Sequence, residues 1–160
     1  MKLYAAALAA MISIPASAQV AAPEIPATFK LHPVYMKNGE TALVDVASLR
    51  RSGDIVWGWN LNVFLKPKEV ATGYTTDAQW TRFIMFCASN SAMMTWFVGR
   101  SASRTTFKVL INQKFAIWEG SGWDLIRTYA CKGGKLFNEA PYINEATAIA
   151  AAKAEMVTGP

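Results

Sequence analysis

The sequence is poor in the residues that catalysis and metal binding usually require. It contains one histidine, His32, which stands beside a proline and has no obvious partner to orient it. One histidine rarely makes a metal site alone, and a catalytic base needs a further group to hold it. The acids are scattered over predicted turns, and no two stand at catalytic spacing: Asp45, Asp54, Asp77 and Asp124. We therefore predict a protein that is not an enzyme and uses no metal or cofactor.

Long hydrophobic runs are missing as well, apart from a short one at the N-terminus. The apolar stretch over residues 3–14 is shorter than the about 20 residues that cross a bilayer. Lys2 precedes it and an A-x-A site follows at residues 16–18, which is typical of a secretory signal peptide. We predict a signal peptide over residues 1–18 and an exported mature chain, periplasmic or extracellular. Because no cysteine stands at the cleavage point, we expect no lipid anchor. Because no later apolar run is long and uncharged enough to cross a bilayer, we expect no transmembrane segment.

Cysteine is scarce, since only Cys87 and Cys131 are present. In an oxidising compartment, two thiols in apolar surroundings favour one disulfide, and two buried free thiols are the alternative. The disulfide would close a loop of about 45 residues, which constrains the unfolded chain by about 4 kcal/mol. Two cysteines without a histidine cluster do not indicate a zinc site.

Alternation of apolar and polar residues is the main pattern that is present. Apolar residues occupy every second position from Ile55 to Leu65, which predicts a half-buried strand. Trp57 and Trp59 belong to this set, so we expect both to face the core. A short strand at residues 41–46 and a turn at 48–53 precede this strand, and Pro67 is expected to end it.

The remaining pattern places further strands before two helices. Strands are predicted at residues 80–87, 107–111 and 115–118, with turns at 99–104 and 112–114. A phase change after residues 89–91 fits a bulge, a bend or a hairpin. Ser121 begins a helix that Gly133-Gly134 ends, and a second helix covers residues 144–156. This order predicts an α+β fold: an antiparallel sheet of about five or six strands with helices toward the C-terminus. Residues 19–33 are predicted to form an extended lead-in to a single domain at 34–160.

Several of these features together resemble the bacterial surface-adhesin protein E family. They are VDVASL at residues 44–49, Phe86-Cys87-Ala88, Trp118 and the late Cys131. The resemblance covers residues 34–134. It implies an antiparallel sheet with a C-terminal helix tied to it by the cysteine pair, and a homodimer as one possible assembly. The named adhesin of the family binds host matrix proteins and is lipid-anchored, whereas no anchoring cysteine is expected here. Asp45 and Ser48 match the family, and we interpret them as turn formers whose short side chains hydrogen-bond nearby backbone.

Positive charge is concentrated in predicted turns and strand ends, and the net charge is +5. The candidate binding residues are Arg50, Arg51, Lys66, Lys68, Arg100 and Arg104. If some of these turns share one end of the sheet, they form a basic rim, to which Trp80 or Tyr74 would add stacking surface. The alternative is that these side chains are simply solvated.

We expect an exported, non-enzymatic binding or adhesin-like protein whose partner is a protein or an anionic polymer or surface. The alternatives are an envelope structural or inhibitor-like protein that acts through an exposed sheet edge and, less favoured, a periplasmic enzyme.

Overall fold

The strands of the sheet follow one another in space in the same order as in sequence. The computed structural model describes residues 22–100, 106–133 and 140–158, with only the backbone of Arg100. Within these residues, a six-stranded antiparallel sheet and two C-terminal α-helices confirm the predicted α+β class. The elements are β1 (Leu31–Lys37), β2 (Glu40–Ser52), β3 (Ile55–Ala71), β4 (Tyr74–Phe86), β5 (Ser91–Arg100), β6 (Thr106–Ala116), α1 (Gly122–Lys132) and α2 (Glu145–Thr158). The predicted signal peptide, Arg104 and Gly134 lie outside the described residues.

Short loops join the strands into a meander. Asn38 and Gly39 alone connect β1 to β2, and their φ angles of 56° and 75° place both in the left-handed region. Two consecutive positive φ angles are typical of the type I′ turn, whose twist matches that of an antiparallel pair. A short 3₁₀ turn, Cys87–Ser89, joins β4 to β5. The phase change in the sequence is therefore a hairpin.

The sequence does not predict β1 as a strand, and β2, β3 and β4 are longer than predicted. β1 begins at Leu31, three residues before the predicted domain boundary, and Leu31 is fully buried. A register shift between Pro33 and Tyr35 interrupts the alternation in β1, so no strand is predicted there. β3 continues past Pro67 to Ala71. The β2 pairing of β3 ends at Phe64, so Pro67 lies where the strand has no partner on that side and a missing N–H is tolerated.

The predicted turn at residues 112–114 is instead a bulge within β6. Asn112 has a φ of 50°, and the register with β5 shifts between Met94 and Trp96. A bulge inserts an unpaired residue and changes the phase of the alternation. The sequence pattern of such a bulge is therefore easily mistaken for a turn between two strands.

A helix covers each face of the sheet. On the face covered by α1, called here the α1 face, Val56 shares a cluster with Ile126. On the opposite face, the α2 face, Leu61 shares a cluster with Ala148. β3 therefore has two packed faces, whereas the sequence predicts one. Alternation of apolar and polar residues predicts that only one face of the sheet is buried. Here a helix packs on each face, so both faces of β3 are covered.

Both helices begin where the sequence predicts. Ser121 Oγ accepts a hydrogen bond from the backbone N–H of Asp124 at 3.2 Å. Asn144 Oδ1 accepts one from Thr147 N–H at 3.1 Å. Each side chain satisfies a backbone donor that the first turn of a helix leaves free. Gly133 ends α1 with a φ of 70°, a conformation that glycine adopts without a Cβ clash.

The C-terminal end of α1 is tied to the sheet. Cys131 in the last turn and Cys87 after β4 lie at disulfide distance, with their Sγ atoms 2.07 Å apart, as predicted. Arg51 Nη1 donates a hydrogen bond to the Cys131 carbonyl at 2.8 Å. The positive guanidinium at this position also interacts favourably with the negative C-terminal end of the helix dipole. Arg51 therefore helps to position α1.

Candidate ligand-binding site

A wide bulge in β2 shapes one end of the α2 face. Asp45 pairs with Trp59 and Arg50 with Trp57, so residues 46–49 of β2 stand opposite Gly58 alone. Gly58 suits this close approach, because a Cβ there would lie 2.6 Å from Leu49 Cδ2 and 3.3 Å from Phe83 Cζ, so those side chains would have to shift. The predicted turn at residues 48–53 is therefore wrong for residues 48–52, which belong to the bulge and the strand that continues from it.

Asp45 and Ser48 hold the bulge together. Ser48 Oγ donates to the Asp45 carbonyl at 2.8 Å and accepts from Trp59 N–H at 2.9 Å. Asp45 Oδ1 accepts from Ala47 N–H at 3.1 Å and from Lys30 N–H at 2.8 Å. Both side chains bond nearby backbone as predicted, although within a strand bulge. Asp45 is fully buried and also fixes the lead-in, a long-range role that the sequence does not predict.

The bulge and the lead-in enclose a cleft of about 430 Å³ on the α2 face. Its floor includes Trp57, Trp59 and Arg82, and Arg50 stands beside the bulge, while residues of the lead-in between Pro23 and Thr28 form another wall. We call this the arginine cleft. Trp59 is buried in the core as predicted, at 7% exposure, whereas Trp57 is half-buried and its ring lines the cleft. The prediction that both tryptophans face the core is thus correct only for Trp59.

Arg82 is the most distinctive group in the arginine cleft. It lies in β4 between Trp59 of β3 and Trp96 of β5. Its side chain is half-buried, yet it forms no hydrogen bond or ion pair with any residue in the described part of the chain. A guanidinium carries five N–H donors and is normally paired when it is removed from water. Arg82 is therefore positioned to receive an external acceptor.

The charges around the arginine cleft favour an anion. Arg50 Nη1 donates to the carbonyls of Ala47 and Leu49 at 2.9 and 2.8 Å, which holds the side chain without neutralising it. Among the described lining residues Glu24 is the one acid, and its carboxylate accepts from Lys108 Nζ at 2.7 Å. The cleft thus combines two guanidinium groups with one carboxylate that is already paired.

The remaining predicted basic residues do not join this site. Lys68 Nζ lies 3.2 Å from Glu40 and above the Phe64 ring. Lys66 is exposed on the same stretch of β3. Arg50 pairs with Trp57, and Lys68 lies further along β3 by roughly 35 Å at the usual rise per residue.

The predicted basic residues therefore do not all lie at one end of the sheet. The β2–β3 turn and the Lys66–Lys68 segment lie toward opposite ends of the sheet, and Arg51 is engaged at α1. The backbone of Arg100 lies toward the Lys68 end, next to Gly99, which pairs with Gln79. Arg104 lies outside the described residues.

The predicted stacking residues are also engaged elsewhere. Trp80 is buried at 1% exposure, and its Nε1 donates to Glu145 Oε1 at 2.9 Å. Tyr74 packs against Phe107 with ring centroids 5.0 Å apart. Of the two tryptophans that line the arginine cleft, Trp57 is the more exposed. Sequence reasoning missed Arg82, although a lone basic residue inside the otherwise apolar WTRFIMFC was a usable signal.

The described residues contain no group of three or more histidine, cysteine, aspartate or glutamate side chains that could hold a metal.

His32 lies in β1, where burial lowers its pKa and leaves Nδ1 without a partner. The pKa of Asp124 is lowered by its hydrogen bond from Arg127, with a further contribution from Gly120 N–H. Asp124 lies in the first turn of α1.

The fold and the cleft define an α+β protein whose antiparallel meander carries one helix on each face. No known protein family, curated protein or solved structure matches this chain. In the described ranges no helix has the length and apolar character needed to cross a membrane.

Proposed function

We propose that this chain is an exported, non-enzymatic binding protein, adhesin-like in role, that recognises an anionic group of a protein or polymer. The arginine cleft is the proposed site. The observation that carries the proposal is the half-buried, unpaired Arg82 beside Arg50 and Trp57. Charge-assisted hydrogen bonds from arginine to carboxylate, phosphate or sulfate are roughly twice as strong as neutral ones.

The cleft also explains why a ligand would bind there and not at the exposed lysines. The half-buried guanidinium of Arg82 has lost some of its hydrogen bonds to water. An oxygen atom of a ligand would replace them, at a lower desolvation cost than at an exposed lysine. Lys66 and Lys68 are exposed and hydrated, so their contribution to affinity is small. The flat ring of Trp57 adds apolar contact area next to the charge.

The proposal is tested with Arg82→Gln and the matched variant Lys66→Gln, which changes the net charge equally at the other end of the sheet. The probes are heparin, a sulfated polysaccharide, and poly-glutamate. We expect Arg82→Gln to weaken binding about tenfold, which corresponds to about 1.4 kcal/mol. Lys66→Gln should change it by less than about twofold, since an exposed charge away from the cleft contributes little.

Salt provides the second arm of the same experiment. Attraction between exposed charges is screened beyond about 10 Å at 0.1 M salt, so affinity should fall as salt rises. Equal weakening by both substitutions would show that net charge alone attracts the probe, and no binding to either probe would exclude an anion site. Either result overturns the assignment to the arginine cleft.

Export and processing are part of the proposal. Cleavage after residue 18 would leave a mature protein that begins at Gln19. Intact-mass measurement of protein recovered from the periplasm or medium checks this. Recovered protein that still carries residues 1–18 would contradict it.

A structural or inhibitor-like role acting through a sheet edge is the second candidate. β6 is an edge strand with Leu110 at 51% exposure, and Trp118 after it is 75% exposed. Unpaired edge groups can add a strand from a second copy or from another protein. Leu110→Lys should abolish such pairing, whereas it should leave heparin binding at the arginine cleft intact.

A further inference from the structure

A polar patch is built into the middle of the α1 face. Asn60 and Asn62 of β3 pair with Thr81 and Gln79 of β4, and alternation places all four on the same side of the sheet. Asn60, Thr81 and Gln79 are 1%, 0% and 4% exposed. Carboxamides at such positions are destabilising unless each polar atom has a hydrogen-bond partner.

Each carboxamide nitrogen of the patch has an acceptor, whereas two carboxamide oxygens have no partner. Asn60 Nδ2 donates to Asn62 Oδ1 at 2.8 Å, and Asn62 Nδ2 donates to Thr81 Oγ1 at 3.0 Å. Gln79 Nε2 also reaches Thr81 Oγ1, at 3.4 Å. Asn60 Oδ1 and Gln79 Oε1 are buried without a partner. Reversing the Asn60 carboxamide would exchange its free oxygen for a free NH₂, so one polar atom stays open either way.

A cavity lies above Asn60 and Asn62. Its volume is about 300 Å³, and it separates the sheet from the first turn of α1. Trp123 of α1 and Tyr35 of β1 contribute aromatic walls. Gly122 allows the close approach of the two elements, because a Cβ there would lie 2.6 Å from Tyr35 Cβ. The cavity therefore combines a carboxamide floor with two aromatic rings.

The charges near the cavity favour a neutral ligand. Glu40 is the one charged residue among the described side chains that line it, and Lys68 Nζ lies 3.2 Å from its carboxylate. The helix N-terminus above the cavity would attract an anion, but Asp124 in the first turn opposes that attraction. Neither a bare anion nor a bare cation finds an unpaired counter-charge here.

We propose that this cavity, called the α1 cavity, binds a single neutral sugar ring. Sugar hydroxyls both donate and accept, so they can bond the half-buried carboxamide of Asn62, which lines the cavity. The apolar C–H faces of the ring can pack against Trp123 and Tyr35. The volume is at the lower end of the range for small-molecule sites, which suits one ring better than a chain. This second site lies on the face opposite the arginine cleft and does not depend on it.

The test follows the indole N–H signals of the ¹⁵N-labelled protein by NMR during titration with glucose and with N-acetylglucosamine. Trp123→Phe identifies the Trp123 signal among the six tryptophans. The blocking variant is Ala42→Leu, since Ala42 is half-buried and lines the α1 cavity. Its matched control is Ala154→Leu on the exposed side of α2. Titration at high salt keeps any charge attraction to the arginine cleft out of the result.

We expect at least one sugar to shift the Trp123 signal saturably, with Ala42→Leu at least tenfold weaker and Ala154→Leu unchanged. If Ala42→Leu fails to fold, Tyr35→Ala replaces it, because Tyr35 is 36% exposed and its loss is tolerable. Tyr35→Ala should weaken binding at least threefold. No saturable shift with either sugar, or full binding by the folded blocking variant, overturns the proposal.

Discussion

The two faces of the sheet are covered by helices that are held in different ways. α1 is tied at its C-terminal end by the Cys87–Cys131 pair and Arg51, and a cavity lies under its first turn. α2 has no cysteine and packs through Ala148 and Ala152 against large side chains of the sheet. Small helix residues allow close approach to bulky partners, so α2 needs no covalent attachment.

Polar contacts strengthen the same contrast. On the α2 face, Trp80 Nε1 donates to Glu145 at the start of the helix, and Lys153, further along it, pairs with Asp77. On the α1 face, the polar side chains under the first turn bond to one another. Trp123 of α1 also packs against Phe83 and Phe115, with ring centroids 5.2 Å apart in each pair. Both helices border a cavity at the sheet, since Glu145 and Ile149 of α2 line one of about 420 Å³. The covalent tie is therefore what distinguishes α1 from α2.

Removing the disulfide should have the largest effect on this comparison. Replacing Cys87 and Cys131 by serine together should lower the free energy of unfolding by roughly 2–5 kcal/mol, because the loop is no longer constrained in the unfolded chain. Denaturant unfolding measures the change, and the parent protein in reductant should match the variant. Non-reducing peptide mapping should recover the linked pair. Free thiols that titrate in the native protein would contradict the assignment.

Enlarging a small residue of α2 that faces the sheet should have the next largest effect. Ala148 is fully buried, so Ala148→Leu should overpack the α2 face and lower the unfolding free energy by roughly 1–3 kcal/mol. Ala154→Leu, on the exposed side of the same helix, is the control and should stay within about 0.5 kcal/mol. If the two substitutions are equally harmless in thermal unfolding, α2 is not packed as described.

Arg51 tests the non-covalent part of the α1 attachment. Arg51→Ala removes the hydrogen bond to the Cys131 carbonyl and should lower the unfolding free energy by about 1 kcal/mol. Lys66→Ala removes an equal charge from an exposed side chain of β3 and should change the unfolding free energy far less. Denaturant unfolding of both variants in the same buffer gives the difference. An equal effect would attribute the loss to charge alone.

The smallest expected effect concerns pH and His32 in β1, which like β2 contacts both helices. Burial lowers the pKa of His32 in the folded protein, so the unfolded chain binds a proton first as pH falls. Stability should be full above the unfolded-state pKa of about 6.5 and should decline as pH falls through it. His32→Gln should flatten this slope between about pH 7.5 and 5.5, a range in which Asp124 does not titrate. An unchanged slope would show that another group is responsible.

Local signals account for the parts of the fold that were predictable. Ser121, Asn144 and Gly133 mark helix ends because capping depends on a few neighbouring residues. The alternation from Ile55 to Leu65 identified a strand because the period of side-chain direction is a local property. The cysteine pair followed from the number of cysteines and the expected compartment. These features do not depend on contacts with distant parts of the chain.

The candidate sites were not predictable in the same way. The arginine cleft depends on a bulge that places residues 46–49 opposite Gly58, and on Arg82 from a different strand. Basic residues that looked equivalent in the sequence turned out to lie at opposite ends of the sheet or to hold α1. Spatial proximity between strands is a result of register, and register is set by cross-strand packing.

The sequence by itself determined the α+β class, the caps of both helices and the identity of the paired cysteines, because each rests on local periodicity, local hydrogen bonding or simple counting. Only the tertiary structure decided which face each helix covers, that Asp45 holds the lead-in, and that Arg82 and Asn62 line clefts on opposite faces. Those features depend on contacts between residues far apart in the chain. Such contacts are chosen by the packing of the whole sheet and not by any one segment.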